Sequence, residues 1–130
     1  MAEIFESSPD TGDNYEPLGR AELVDHDDRS GETRRIWEGE SLYEIQDRRL
    51  RVHESFVWST RDADPAHSGF LGEETTQIDL PGGRRLDLRT RIDLRSDAVT
   101  FHLAVTRELQ ENGRLVRTRT WREGIPRQMQ

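Results

Sequence analysis

Residues 85–123, RLDLRTRIDLRSDAVTFHLAVTRELQENGRLVRTRTWRE, decide the fold of this chain. From Arg85 to Arg95, every odd-numbered residue is charged, and every even-numbered residue except Thr90 is leucine or isoleucine. This period of two is typical of a β-strand with one buried and one exposed face. The stretch therefore predicts a long strand whose apolar side chains all lie on one side.

A second apolar alternation follows and ends at a turn signal. Its apolar members are Phe101, Leu103, Val105 and Leu109. Asn112 and Gly113 come next, and this dipeptide favours the positive φ angles of a two-residue type I′ hairpin turn. We therefore expect a hairpin here, with a further strand after Gly113.

The two predicted hairpins agree about which face is apolar. The pairs predicted across Asn112-Gly113 are Val105–Thr120 and Leu109–Val116 on one face, and Glu108–Arg117 and His102–Glu123 on the other. A turn at Ser96-Asp97 would set Ile92 opposite Phe101 and Leu88 opposite Val105. Because the apolar residues share one face in both hairpins, this region is predicted to be a three-stranded antiparallel sheet.

The composition fits a sheet of this kind. The chain has 130 residues, which is the usual size of one domain. Hydrophobic residues make up 32% and charged residues 35%. The charges alternate with apolar residues instead of forming blocks, so a sheet with one solvent-exposed face accounts for the composition.

Charge and residue usage exclude several classes of function. A net charge of −7 and a pI of about 5.1 disfavour nucleic acid, which needs a concentrated positive patch. The absence of cysteine excludes disulfides, thiolate metal sites and thiol nucleophiles. No apolar run approaches the ~20 residues that span a membrane, and residues 1–10 lack the layout of a secretory signal. We predict a cytoplasmic protein that binds neither nucleic acid nor membrane.

The rest of the chain is predicted to form one β domain, residues 18–127, behind a flexible acidic arm, residues 1–17. About eight strands are expected, at residues 21–24, 33–37, 40–45, 49–59, 75–80, 85–95 and on either side of Asn112-Gly113, with a loop at residues 60–72. Short strands separated by turn residues predict an all-β, antiparallel, jelly-roll-like β-sandwich. An up-and-down, lipocalin-like barrel is the alternative.

No motif for catalysis or metal binding stands out. The nearest match to the serine hydrolase motif G-x-S-x-G begins at Gly39, but its last glycine is missing and it lies in a predicted strand. The residues His26, His53, His67 and His102 lack metal-ligand spacing and are interpreted as surface residues. The segment Asp25–Asp28 is interpreted as a solvated turn and not as a calcium site. We predict no catalytic residue, no metal site and no cofactor.

The aromatic residues allow two interpretations. They are Trp37, Tyr43, Phe56, Trp58, Phe101 and Trp121. Such residues line ligand cavities in barrels and also form ordinary cores, and the core interpretation is favoured. On the strand at residues 49–59, Glu54 interrupts the apolar face, and it is the one carboxylate expected near the edge of the core.

The last third of the chain resembles a known family. The residues concerned are Arg95-Ser96-Asp97-Ala98, Thr100-Phe101-His102-Leu103, Glu111-Asn112-Gly113, Arg119-Thr120-Trp121 and Ile125-Pro126-Arg127. This series is similar to the end of acyl esterases of the cocaine esterase and X-prolyl dipeptidyl-peptidase family. Asp64-Pro65 before Ser68-Gly69 also looks like the D-P-L-S-A loop of those enzymes, although Ala66 and His67 depart from it. The resemblance covers about residues 20–127.

In that family, the corresponding region is a C-terminal β-sandwich of jelly-roll, galactose-binding-like type that packs on a catalytic α/β-hydrolase domain. The catalytic residues lie upstream of the matched region. The resemblance therefore implies a non-catalytic module in which Trp121, Pro126 and Arg127 have structural roles, with Trp121 opposite Ala104.

Three functions remain open from the sequence. The first is an accessory or interaction protein, with a homo-oligomer or a hydrolase subunit as its partner and an exposed apolar sheet face. The second is a lipocalin-like protein that binds a small hydrophobic ligand. The third is a small enzyme that uses scattered histidines and acids. Strand order separates the first two, since up-and-down neighbours favour the barrel and crossings between two sheets favour the jelly roll.

Overall fold

The computed structural model describes residues 14–46 and 48–128, and these residues form seven antiparallel strands and no helix. The strands are β1 (Asn14–Asp27), β2 (Glu32–Ile45), β3 (Arg48–Arg61), β4 (Gly69–Leu80), β5 (Arg84–Ser96), β6 (Thr100–Glu111) and β7 (Arg114–Pro126). The predicted all-β class is confirmed. Residues 1–13 of the predicted arm lie outside the described residues, and residues 14–17 belong to β1. No helix in the described part of the chain is long and apolar enough to cross a membrane.

The seven strands form one open sheet in the order β1-β2-β3-β4-β5-β6-β7. Each strand pairs only with its neighbours in sequence, and β1 and β7 are the two edges. This up-and-down order is the one expected for the barrel alternative, although β1 and β7 do not pair. A sandwich would need a second layer, which is not among the described strands.

The structure has one strand fewer than the sequence predicted. The segments predicted as separate strands at residues 33–37 and 40–45 are one continuous strand, β2. Gly39 lies between the two predicted segments, within the strand and beneath the ring of Trp37. A Cβ atom at Gly39 would come within 2.7 Å of the Trp37 Cη2 atom. The glycine therefore makes room for the indole and does not end the strand.

Strand β4 also begins earlier than predicted. The predicted loop at residues 60–72 includes the first four residues of β4, from Gly69 to Gly72. The loop was predicted from the composition of the segment, and its first two residues, Thr60 and Arg61, belong to β3. Both glycines pair in the ladder, with Gly69 opposite Ser59 and Gly72 opposite Phe56.

The predicted register between β5 and β6 is wrong by four residues. Ile92 lies opposite Val105, and Leu88 lies opposite Leu109. The connection contains three residues, because the Asp97 carboxylate accepts hydrogen bonds from the backbone N–H groups of Val99 and Thr100, at 2.9 and 2.8 Å. An even shift keeps every apolar side chain on the predicted face.

The register between β6 and β7 departs from the prediction through a β-bulge. Asn112 and Gly113 form the predicted turn, with φ angles of 49° and 79°. The register then shifts between Leu109 and Gln110. A bulge adds one residue to a strand and moves the following side chains to the opposite face.

Because of the bulge, the residue pairs predicted between β6 and β7 are wrong by one position. Val105 lies opposite Trp121 and not Thr120, and Trp121 is not opposite Ala104. The other observed pairs in place of the predicted ones are Leu109–Arg117, Glu108–Thr118, His102–Gly124 and Ala104–Arg122. The bulge thus brings Trp121 onto the same face as the apolar residues of β5 and β6.

The two faces of the sheet differ in chemistry. The face that carries the even-numbered residues of β3, β4 and β5 and the odd-numbered residues of β2 and β6 is called the apolar face, and the opposite one is the charged face. Cross-strand ion pairs on the charged face are Arg34–Asp25, Arg49–Glu44, Arg51–Glu40, Arg85–Asp79 and Arg91–Glu73, with N–O distances of 2.9–3.4 Å. Such exposed pairs contribute little stability each, but they favour this register.

Candidate functional site

The apolar face is the candidate functional site, because it is a large hydrophobic surface that no other part of residues 14–46 and 48–128 covers. No hydrophobic side chain among the described residues is buried. The chain exposes 10129 Å² of surface, whereas a compact folded monomer of 15.1 kDa is expected to expose about 7,100 Å². Soluble monomers rarely expose large contiguous apolar patches, and those that do use them for binding.

An aromatic cluster occupies one end of this face. Trp37 stacks on Phe56, with ring centroids 5.4 Å apart and planes inclined by 12°. Phe56 also contacts Phe70 and Trp58, and the Trp58 and Phe70 rings lie 5.4 Å apart. Gly72, opposite Phe56 in the ladder, leaves space for these rings. The cluster is therefore a continuous aromatic surface across β2, β3 and β4.

The structure brings together three of the six aromatic residues singled out in the sequence. Trp37, Phe56 and Trp58 belong to the cluster, whereas Tyr43 contacts Tyr15 instead, with ring centroids 4.9 Å apart. The Phe101 ring lies under the guanidinium of Arg127.

The sixth residue, Trp121, lies on the same face as the cluster but on the edge strand β7. The guanidinium of Arg119 lies over its ring, 4.7 Å from the ring centroid. The six aromatic residues therefore share a sheet but do not form one cavity.

Phe70 is a member of the cluster that the sequence analysis missed. It falls in the segment predicted as a loop. Ile78 and Leu80 alternate with Gln77 and Asp79, and a period of two continued back along β4 places Phe70 on the same face. That pattern was the signal that could have identified Phe70.

A row of polar residues crosses the middle of the apolar face at right angles to the strands. We call it the transverse row. Each strand contributes one residue, and each residue lies opposite the next one in the ladder. From β1 to β7 the members are Arg20, Gly39, Glu54, Glu74, Thr90, Arg107 and Arg119. Glu54 therefore lies on the apolar face, as the sequence indicated. Its neighbour Glu74, which completes a pair of facing carboxylates, was not anticipated.

The environment of Glu54 is unfavourable for a negative charge. Partial burial raises the pKa of Glu54 above its ordinary value, and the facing carboxylate of Glu74 raises it further. Within the described part of the chain, Arg107 and Arg119 form no ion pair with a carboxylate of this molecule. From β3 to β7 the row thus has an acidic half on β3 and β4 and a basic half on β6 and β7, and a further arginine, Arg20, lies on the edge strand β1.

The histidines do not converge on a site. All four are exposed, as predicted. His67 Nδ1 lies 2.5 Å from an oxygen of Asp64, but the nearby Ser68 hydroxyl donates to the backbone carbonyl of Pro65. Among the described residues, no group of three or more His, Asp or Glu side chains has an arrangement that could hold a metal ion.

The acidic segment at residues 25–28 forms the end of β1 and the start of a turn. Asp27 Oδ1 accepts a hydrogen bond from the Arg29 backbone N–H, and this bond, followed by one from Ser30, lowers the pKa of Asp27. Gly31 completes the turn with a φ of 67°. The predicted turn is therefore present from Asp28 onward, whereas Asp25 to Asp27 belong to β1.

Several residues of the family-like motifs meet at one corner of the sheet. The Ser96 hydroxyl donates to the Ala66 carbonyl at 2.6 Å. The Arg127 guanidinium donates to the carbonyls of Asp97 and Ala66, at 2.8 and 3.2 Å. The Asp97 carboxylate also contacts His102 Nε2 at 2.9 Å. This motif corner ties the loop before β4, the turn after β5 and the end of β7 to one another.

The hydrogen bonds at this corner explain the charge state of Asp97. The contact with His102, followed by the backbone N–H groups of Val99 and Thr100, lowers the pKa of Asp97 to about 2. The carboxylate therefore stays ionised and holds the turn that sets the register of β5 and β6.

Comparison with models of protein families, with curated proteins and with solved structures found no significant match. The resemblance to acyl esterases and X-prolyl dipeptidyl peptidases therefore remains a prediction from the motif residues.

Proposed function

We propose that this chain is a non-catalytic accessory or interaction module whose apolar face packs against another polypeptide. The observation that carries this proposal is the seven-stranded sheet whose hydrophobic face is covered by none of the described residues. A sheet that is apolar on one side needs a second layer for stability. In this proposal the second layer comes from outside the described chain, and the assembled fold is a β-sandwich of two sheets.

The resemblance to acyl esterases and X-prolyl dipeptidyl peptidases supports the same role. In that family the corresponding domain is a sandwich without catalytic residues, packed on the catalytic domain. The motif residues meet at a corner of the sheet, where Arg127 and Ser96 hold backbone carbonyls. These residues thus have structural roles, as expected for an accessory domain. We propose that the module is a subunit of a serine hydrolase.

A second candidate is a lipocalin-like protein that binds a small hydrophobic ligand. The sequential strand order favours this candidate, because up-and-down barrels are built from such meanders. Its ligand would lie on the aromatic cluster of Trp37, Phe56, Trp58 and Phe70. The sheet would then close by pairing β1 with β7.

Native mass spectrometry of the protein purified from its host separates the two candidates. The module predicts that a polypeptide, either a second copy or another subunit, travels with the chain. The lipocalin-like candidate predicts one chain carrying a small molecule. A single chain with neither would contradict both.

Two neighbouring threonines of β4 allow the binding face to be assigned. Thr76 lies on the apolar face, between Val52 and Leu88, and Thr75 lies on the charged face. A Thr76→Arg variant is expected to lose the associated polypeptide, because a cation would enter the interface. The matched Thr75→Arg variant is expected to retain it.

Intrinsic fluorescence gives an independent readout. The three tryptophans of the chain, Trp37, Trp58 and Trp121, all lie on the apolar face. Their quenching by acrylamide therefore reports whether this face is covered. We expect low quenching in the wild-type assembly and in Thr75→Arg, and strong quenching in Thr76→Arg. Equal quenching in the two variants would overturn the proposal.

A further inference from the structure

The order of charges along the transverse row indicates which kind of surface can cover the apolar face. From β3 to β7, its acidic residues, Glu54 and Glu74, are on β3 and β4, and its arginines, Arg107 and Arg119, are on β6 and β7. The third arginine of the row, Arg20, is on the edge strand β1. Thr90 of β5 lies midway between the two halves. Charges covered by another protein surface are costly unless opposite charges meet them. A covering surface must therefore present bases over β3 and β4 and acids over β6 and β7.

A second copy of the same sheet presents this order in one orientation. When two copies stack face to face about a two-fold axis parallel to the strands, the strand order of one copy is reversed over the other. When the axis instead lies along the transverse row, each strand covers its own equivalent. In that case Glu54 and Glu74 would meet acids, and the arginines would meet arginines. The row therefore selects the axis parallel to the strands.

We propose that the apolar face is covered by a second copy of this chain, in a two-fold symmetric sandwich whose axis runs parallel to the strands and passes over β5. This inference rests on the proposed function and names its partner. In this arrangement β4 covers β6 of the second copy, and β3 covers β7, whereas β1 and β2 lie outside the contact. Glu74 then meets Arg107 of the other copy, Glu54 meets Arg119, and Thr90 lies at the axis.

On the side of the row that carries Trp121, the apolar residues match in the same arrangement. In the adjacent row, Phe56 lies on β3, Ile92 on β5 and Trp121 on β7. Reversal of the strand order sets Phe56 of one copy over Trp121 of the other and Ile92 over its own equivalent. Aromatic and aliphatic side chains thus meet on either side of the axis, as in the interior of a β-sandwich.

The size of the contact is sufficient for a stable dimer. Five strands at about 4.8 Å spacing and ten residues along each strand give a footprint of about 24 × 33 Å, or about 800 Å². Stable protein interfaces bury about 800 Å² on each partner. The interface is isologous, so each charge pair occurs twice.

Charge reversal across the axis tests this proposal. We expect Glu74→Arg and Arg107→Glu each to raise the dimer dissociation constant about 100-fold, because like charges then face each other in both symmetric positions. An equimolar mixture of the two variants should restore a heterodimer. In that mixture the new arginine meets the new glutamate, and the native Arg107 meets the native Glu74. The double variant should form a homodimer as tight as that of the wild type.

Control variants carry the same charge changes on the charged face. They are Glu38→Arg on β2 and Arg122→Glu on β7. Glu38 lies opposite Ser55 and Arg122 lies opposite Ala104, so neither position belongs to the transverse row. We expect their dissociation constants to stay within about threefold of the wild-type value. Sedimentation equilibrium gives the constants, and acrylamide quenching reports the cover over Trp58 of β3 and Trp121 of β7.

The outcomes separate this inference from the proposed function. A wild-type dimer in which mixing does not restore association would overturn the symmetric arrangement. A wild-type monomer whose tryptophans become protected only in a complex with a different polypeptide would overturn the second copy as partner and leave the interaction module intact. A monomer with exposed tryptophans under all conditions would overturn both.

Discussion

Glu54 of β3 and Glu74 of β4 lie directly opposite each other in the middle of the apolar face. Like charges that face each other across a ladder are destabilising. Partial burial and the facing Glu74 both raise the pKa of Glu54. The two facing carboxylates thus destabilise the centre of the sheet. The two-fold arrangement would remove this destabilisation by bringing an arginine of the other copy to each carboxylate.

The first prediction concerns Glu54→Gln in dilute, monomeric protein. A carboxyl group whose pKa is raised by folding favours the folded state when it is protonated, and this contribution is lost as the pH rises through the folded-state pKa. We therefore expect the glutamine variant to be more stable than the wild type at pH 7, by less than about 1 kcal/mol because Glu54 retains solvent access. Near pH 4 the difference should vanish.

Thermal unfolding at the two pH values measures this effect. Glu38→Gln on the charged face is the control, and its stability should not show the same dependence on pH. A gain for Glu54→Gln of equal size at both pH values would contradict the prediction.

The second prediction concerns Gly39→Ala. A Cβ atom there would lie 2.7 Å from Trp37 Cη2, so the indole would have to rotate away from its stack on Phe56. We expect a loss of about 1 kcal/mol in the free energy of unfolding and a change in tryptophan emission. Gly124→Ala on β7 is the matched control, because its Cβ would make only an ordinary contact, at 3.7 Å from Thr100. Similar losses in both variants would argue against the steric explanation.

The third prediction concerns Asp97→Asn at the motif corner. Because folding lowers the pKa of Asp97 from 3.8 to about 2, the stability that its carboxylate contributes is present above pH 3.8 and is lost as the pH falls toward 2. The melting temperature of the wild type should fall more steeply than that of the variant between pH 4 and pH 2. Asp28→Asn, at a side chain that is 98% exposed, should follow the wild type. Parallel curves for all three proteins would refute the assignment.

The fourth prediction concerns Arg127→Met. The guanidinium donates to the carbonyls of Asp97 and Ala66, and its loss leaves both partly buried acceptors without this donor. A cost of about 1–3 kcal/mol is expected. Hydrogen exchange should become faster at the backbone N–H of Ser96, which donates to the Ser68 carbonyl next to this corner. It should remain unchanged at the backbone N–H of Asn112, which donates to the Arg85 carbonyl at the opposite end of β5. Arg122→Met on the charged face of β7 is the control, and it should change neither amide.

The period of two from Arg85 to Arg95 was enough to predict the all-β class, one apolar face and one charged face. Alternation is a local property, since successive side chains of a strand point to opposite faces whatever the strand pairs with. The same property placed Glu54 on the apolar face. The turn at Asn112-Gly113 was also predictable, because it depends on the positive φ angles that these two residues adopt readily.

Only the tertiary structure decided which residues meet across the strands. The three-residue turn held by Asp97 and the bulge at Leu109 change the register, and neither alters the alternation from which the strands were predicted. The bulge is the reason that Trp121 was not expected opposite Val105. Glu74 was not expected opposite Glu54 because the register of β3 and β4 could not be read from the alternation of either strand. The transverse row depends on six such registers at once, so its charge order, and the symmetric contact inferred from it, emerge only when the whole sheet is assembled.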